Sequence, residues 1–273
     1  MSESSSASEL PGKTANRLFA LLFRPHFSPY KMYVRRDLHL AVVLNPKVGT
    51  TTFRHLLVDA QQETGTKPRL GRLWPLNEIR RSLIAPPGEY LDLFLHPRSY
   101  QFFGFIRNPY RRLLSAWKDK CRMTEDGDPL ARSMRREFPL IREFARAGGL
   151  DGAEPGSVIP FDTFVEFVAS QPDGRRNHHW DSQSSVMLMD LISYDRLYRI
   201  EDEFGEAMVG IYSRLGVSRD WIEHKLAKPL NQTTPGADRY YTEALADRVY
   251  DIYRRDFDSF GYRKDSWSEL GKQ

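Results

Sequence analysis

Apolar positions along this chain fall into two periods. Residues 38–44, LHLAVVL, form a short run rich in Leu and Val and broken only by His39, which reads as a buried parallel strand. In residues 53–62, Phe53, Leu56, Leu57 and Ala60 recur at helical spacing, and the pattern stops before Gly65. The first unit is therefore strand, loop, helix. Residues 91–95 and 101–106 are two further short apolar runs, and Asn108-Pro109 opens a helix carrying Leu113, Leu114 and Trp117 on one face. Strands alternating with helices predict an α/β fold of three layers, a central parallel sheet flanked by helices. From Pro160 onward the pattern is mainly helical, over residues 161–170, 203–215 and 242–260.

The flanks read differently. Residues 1–16 are Ser-rich with almost nothing to bury, so a disordered tail is expected there; its Gly12-Lys13-Thr14 imitates the end of a phosphate loop, but no apolar strand precedes it. Residues 17–36 form a basic amphipathic leader. From Lys13 to Arg36 every charged residue is basic, interleaved with Leu18, Phe19, Leu21, Leu22, Phe23 and Phe27. Such a segment either packs on the domain and solvates its charges or lies on an anionic membrane. Order is expected from about Asp37, in a single domain over residues 37–264, with the charged, Gly-rich stretch 125–156 as an insertion or lid and 265–273 as a tail.

Composition narrows the picture. With 273 residues, 40% hydrophobic and 12% aromatic, the chain can bury a substantial core. A single cysteine, Cys121, rules out an intramolecular disulfide and fits a reducing cytoplasm, with Cys121 itself structural. The net charge of +4 suits an anionic small ligand but is too mild to argue for nucleic acid as a partner. No apolar run approaches the roughly 18 residues of a membrane span. The sequon Asn231-Gln232-Thr233 is expected to be unused, and Asp251, Asp256 and Asp258 are expected to solvate the outer face of the last helix.

The chemistry concentrates in two stretches. NPKVGTTTF, residues 45–53, follows a strand and leads into a helix, so its backbone amides and the positive end of the helix dipole can receive an anion. Gly49 permits close approach, and Thr50, Thr51 and Thr52 add hydroxyls. Lys47, however, precedes the glycine, whereas the lysine of the common phosphate loop follows it. Taken alone the stretch is either an anion site or an ordinary turn whose threonines cap the helix. The second stretch, FGFIRNPYRRLLSAWKDK, places Arg107 at a strand end and Ser115 eight residues later, about two turns into the next helix. A guanidinium and a hydroxyl so placed can converge on one phosphate.

Together the two stretches resemble the 3′-phosphoadenosine 5′-phosphosulfate (PAPS)-dependent sulfotransferases. Pro46, Lys47, Gly49, Thr50 and Thr51 match their P-K-x-G-T-T element, and Arg107, Asn108, Pro109, Arg112, Leu113, Ser115 and Ala116 match R-[ND]-P-x-x-R-L-x-S-A. The form R-N-P-Y-x-R-L-x-S-A-W is most similar to the Golgi-type carbohydrate branch (family 2) and its bacterial relatives. His179-Trp180-x-x-Gln183 and D-x-Y-x-x-D-F-x-x-F-G-Y, residues 251–262, resemble further motifs of that branch.

The resemblance implies a P-loop-like fold and in-line transfer of a sulfuryl group from PAPS to a hydroxyl of a carbohydrate or glycolipid, leaving PAP. Pro46, Lys47, Val48, Gly49, Thr50, Thr51 and Thr52 would surround the 5′-phosphosulfate, with Lys47 on the bridging oxygen. Arg107 and Ser115 would hold the 3′-phosphate, and no metal is required. For the general base, His96 ends what reads as a strand, on the sheet edge where Lys47 and Arg107 also emerge; His178 and His179 compete for the role. His179, Trp180 and Gln183 are either acceptor-binding or a packed structural motif. Two other readings stay open: a non-catalytic binder of PAP or an anionic glycan, and an atypical P-loop kinase, which the missing G-K-[ST] ending disfavours. The acceptor and the oligomeric state are not legible in the sequence.

Overall fold

The computed structural model describes residues 25–26, 28, 31–65, 83–121, 134, 136–227 and 238–271. One sheet carries strands β1 (Met32–Arg35), β2 (Leu40–Val43), β3 (Gln101–Ile106) and β4 (Arg196–Arg199) in the order β1-β2-β3-β4. The β2–β3 and β3–β4 pairs are parallel, and β1 joins the edge antiparallel to β2. The helices are α1 (Thr50–Glu63), α2 (Pro87–Leu95), α3 (Pro109–Lys120), α4 (Glu137–Gly148), α5 (Phe161–Ser170), α6 (Gln183–Val186), α7 (Phe204–Ser213), α8 (Arg219–Leu226), α9 (Glu243–Ile252) and α10 (Arg254–Phe260).

The period of two along β2 explains the layers. Leu40 and Val42 point into a core built with α1, α7 and α8, whereas Ala41 and Val43 point into another built with α2, Leu188 and Ile192. Covered on both faces, β2 needs apolar residues at every position, which is why its run is nearly continuous. Beside the sheet, α3, α4, α5, α9 and α10 enclose a third core around Tyr110, Phe164 and Trp180.

Several sequence expectations are corrected. The domain begins before Asp37, because β1 seals the sheet edge with Tyr33 and Val34 fully buried. The disordered tail 1–16 and the leader as far as residue 24 lie outside the described residues, as does Asn231. Residues 91–95 are not a strand: Pro87 opens helix α2, whose packed face is Tyr90, Leu93 and Phe94, while Leu91 and Leu95 are exposed. That face starts outside the apolar run, so the run alone suggested the wrong period. The expected insertion at 125–156 lies partly outside the described residues, but its second half is core. There α4 buries Phe138, Ile141 and Ala145, and Arg142 donates to the carbonyls of Gly152 (2.8 Å) and Ser157 (3.0 Å). The expected tail forms a 3-10 helix over Lys264–Glu269 and sinks Leu270 into the third core. Among the described residues, no helix is long and apolar enough to cross a membrane.

Candidate active site

The loop after β2 is wound by two left-handed residues, Lys47 at φ 69° and Gly49 at φ 78°. For lysine this conformation costs on the order of 1–2 kcal/mol, and the neighbouring contacts hold it. Val48 between them is buried in the α1 core. Gly49 must be glycine on a second count, since a Cβ there would lie 2.5 Å from the Phe204 ring. The first intrahelical bond of α1 runs from Phe53 N to Gly49 O at 3.0 Å, so the amides of Thr50, Thr51 and Thr52 stand ahead of the ladder. No side chain among the described residues caps them, which removes the reading of threonines as ordinary caps. One expectation fails here: the Thr50 hydroxyl donates to Asn45 O at 2.5 Å, closing the loop, so its hydrogen is not offered to a ligand. Thr51 is exposed and Thr52 half-buried.

Arg107 follows β3 directly, and its Nη1 donates to Lys47 O at 3.1 Å, so the two sequence stretches meet. Its Nε is buried without a hydrogen-bond partner among the described residues. Burial lowers the pKa of this guanidinium to about 10, with Glu201 opposing the shift. Asn108 starts α3 by accepting from Tyr110 N at 3.0 Å, with Pro109 in the first turn, and this aims α3 along the loop. Ser115 is half-buried on α3, and Asp119 lies one turn further along the same face. Asp119 Oδ2 is 3.0 Å from Lys47 Nζ and 3.4 Å from Lys120 Nζ. Burial lowers the Lys47 pKa, and Asp119 pulls against that shift.

Behind these groups lies a buried polar frame, of which the sequence offered only the packed reading of Trp180 and Gln183. Arg112, 2% exposed, donates from Nε to Pro46 O (3.2 Å), from Nη1 to Asp181 O (2.6 Å), and from Nη2 to Asn45 Oδ1 and His178 O (both 3.2 Å). Gln183 accepts from Asn45 Nδ2 (2.9 Å) and Arg107 N (3.0 Å) and donates to Arg107 O (2.8 Å). Asp256 accepts from Gln183 N (2.7 Å), Ser184 N (2.9 Å) and the Ser184 hydroxyl. It is fully buried, contrary to the expectation of a solvated helix face; Asp251 and Asp258 are exposed as expected. Trp180 is fully buried, donating to Gln171 Oε1 at 3.2 Å. Trp180 and Gln183 are therefore parts of the packed frame and present no surface to an acceptor. Cys121 is buried in the third core, which pushes its thiol pKa up.

His179 differs from its motif partners. Its ring lies against that of His178, tilted by 34° with centroids 4.3 Å apart, and its buried Nδ1 has no partner among the described residues. Burial lowers the pKa of His178 to about 3 and of His179 to about 2, and Lys47 and Lys120 add to the shift of His179. Both imidazoles are neutral. His96 is corrected outright. It ends helix α2, is mostly exposed, and sits 3.4 Å from Asp92, whose other oxygen accepts from Tyr100 OH at 2.6 Å. Tyr100 immediately precedes β3, so His96 stands at the amino edge of the sheet. Lys47 and Arg107 stand at the carboxyl edge, about 20 Å away along a six-residue strand. Among the described residues, no group of three or more His, Cys, Asp or Glu could hold a metal ion.

A family model described as "Sulfotransferase family" matches residues 30–263. The chain is 23% identical over 165 residues to carbohydrate sulfotransferase 14 of Danio rerio, covering 60% of this chain and 40% of that protein. It is 24% identical over 179 residues to carbohydrate sulfotransferase 11 of Mus musculus (63% and 50%) and 26% identical over 174 residues to carbohydrate sulfotransferase 8 of Homo sapiens (61% and 40%). The matched part thus spans half or less of each relative. No solved structure matches.

Proposed function

The chain belongs to the sulfotransferase family, and from that premise we propose that it transfers a sulfuryl group from PAPS to a hydroxyl of a carbohydrate acceptor. The observation that carries this reading is the buried, unpartnered Nε of Arg107 beside the uncapped start of α1. An enclosed guanidinium N–H without an acceptor is costly, and a phosphate oxygen relieves it. Two anion-seeking groups at the carboxyl ends of adjacent parallel strands suit a ligand with a phosphate at each end.

In this reading the amides of Thr50, Thr51 and Thr52 hold the 5′-phosphate, and Arg107 with Ser115 holds the 3′-phosphate. PAPS supplies a sulfuryl group whose departure leaves negative charge on the oxygen that bridged phosphorus and sulfur. The Lys47 ammonium stabilises that charge as it develops, a contribution absent from the ground state. The acceptor hydroxyl would pass its proton to a base of the site as its oxygen attacks sulfur and the bond to the bridging oxygen breaks. Of His96, His178 and His179, the last two lie near Lys47 and Lys120, and the negative charge of a bound donor would raise their basicity from its low value, so that either could take that proton. The carbohydrate class rests on the relatives, all of them carbohydrate sulfotransferases by name.

Mixing the protein with PAPS carrying labelled sulfur and a panel of glycans tests the reading. Label should pass to at least one glycan, and PAP should bind. Lys47→Ala should lose turnover by orders of magnitude while Arg107 and Ser115 retain part of the PAP affinity. Absence of both transfer and PAP binding would falsify the reading, and PAP binding without turnover in the unmodified protein would identify a binder instead.

A further inference from the structure

One carboxylate in the site has no part in the scheme above. Asp119 approaches two ammonium groups, Lys47 Nζ at 3.0 Å and Lys120 Nζ at 3.4 Å, both through Oδ2. It lies four residues beyond Ser115, so the two side chains share one face of α3. We propose that Asp119 is a positioning residue, the internal counter-ion that holds the Lys47 ammonium against the Ser115 face of α3. The donor-binding part of this inference rests on the function proposed above; the lysine–aspartate part does not.

The groups that face Lys47 make a counter-ion necessary. Lys120 comes from α3, Arg107 from the end of β3, and His179 from the loop before α6; the first two repel the ammonium and the imidazole is neutral. The Lys47 side chain is only 16% exposed, so burial also favours its neutral form. Among the described residues, Asp119 is the carboxylate that opposes these influences. A neutral amine brings no positive charge to a departing oxygen, so the carboxylate conserves the protonation state on which Lys47 depends. An anionic donor group supplies the same electrostatic service once bound, which frees the ammonium to follow it. Asp119 therefore acts before and between turnovers and need not touch the donor.

The decisive measurement is the titration of Lys47 by NMR with lysine labelled at Cε, its signal assigned by its loss in Lys47→Arg. In Asp119→Asn, Lys47 should lose its proton at a lower pH than in the unmodified protein, and Asp119→Glu should restore much of the difference. Lys120→Met should move the titration the opposite way, since it removes a repelling cation; this variant serves also if Asp119→Asn fails to fold. PAP binding gives the second readout. As pH rises, the affinity of Asp119→Asn should begin to fall at a lower pH than that of the unmodified protein, by roughly tenfold or more once Lys47 has lost its proton, the worth of one charge-assisted hydrogen bond. In a Lys47→Met background, Asp119→Asn should leave PAP affinity unchanged. An unmoved Lys47 titration in Asp119→Asn, or an affinity loss that persists without Lys47, would overturn the proposal. Failure of the unmodified protein to bind PAP would instead count against the donor reading, with the lysine titration still deciding the role of Asp119.

Discussion

Exchanging Arg112 for lysine retains the charge yet should be among the most damaging single changes in the domain. The guanidinium makes four hydrogen bonds to the loop at 45–46 and the segment at 178–181. An ammonium donates from one point and cannot span acceptors that a planar fork reaches on two chain segments. Retaining two of the four bonds forfeits two charge-assisted ones, at about 1.5–3 kcal/mol each, for a total of about 3–6 kcal/mol. Domain stability is typically about 5–15 kcal/mol, so a large part of it is at stake. At about 2–4 °C per kcal/mol for a domain of this size, Tm should drop by roughly 6–24 °C. Thermal unfolding followed by circular dichroism measures this, with Arg263→Lys as the control. Arg263 pairs with Asp265 on the open surface, so that exchange should leave Tm unchanged. Hydrogen exchange should quicken at residues 45–49 in Arg112→Lys, because the loop loses its tether. A Tm drop below about 3 °C would refute the reasoning, since it would mean that fewer bonds, or water, hold the two segments as well.

Other changes test other parts of the site. Asp256→Ala leaves the buried amides of Gln183 and Ser184 without their acceptor and should cost about 2–6 kcal/mol by urea unfolding; a loss under about 1 kcal/mol would contradict the frame. Gly49→Ala combines a left-handed backbone, costing about 1–2 kcal/mol, with a clash against Phe204. Adding Phe204→Leu should recover part of the lost Tm, and no recovery would place the cost elsewhere. Arg107→Ala should weaken PAP toward the affinity of AMP while leaving AMP binding nearly unchanged; equal loss for both nucleotides would remove Arg107 from the 3′-phosphate. Burial lowers the pKa of His178 to about 3 and of His179 to about 2, below the ordinary histidine value of 6.5. Between those values and 6.5 the unfolded chain binds protons that the folded chain does not, so stability should fall as pH drops through that window. Unfolding free energies from pH 7 to pH 4.5 should show a shallower slope in the His178→Asn, His179→Asn double variant than in the unmodified protein, and an unchanged slope would contradict the neutral pair.

What could be read from the chain alone was whatever depends on near neighbours in sequence. The apolar stretch of β2, the face of α1, the Asn108-Pro109 start of α3 and the bounds of α5 at Phe161–Ser170 were legible because each is set within a few residues of itself. The same holds for the placing of Lys47 and Arg107 beyond strand ends, since Arg107 follows β3 directly and Lys47 comes four residues after β2. Tertiary structure decided the rest. LDLFL suits a strand or a helix until Tyr90 and Phe94 are seen to pack beside Leu93, and with that choice His96 moved to the far edge of the sheet. Asp256 looked like one of three surface acids; its burial depends on amides 72 and 73 residues away. Lys47 meets Asp119, and Arg112 meets residues 45, 46, 178 and 181, only because folding brings those segments together. Periodicity records which face of an element is buried, but not what buries it, and a charge in the site acquires its partner and its protonation state from that second fact.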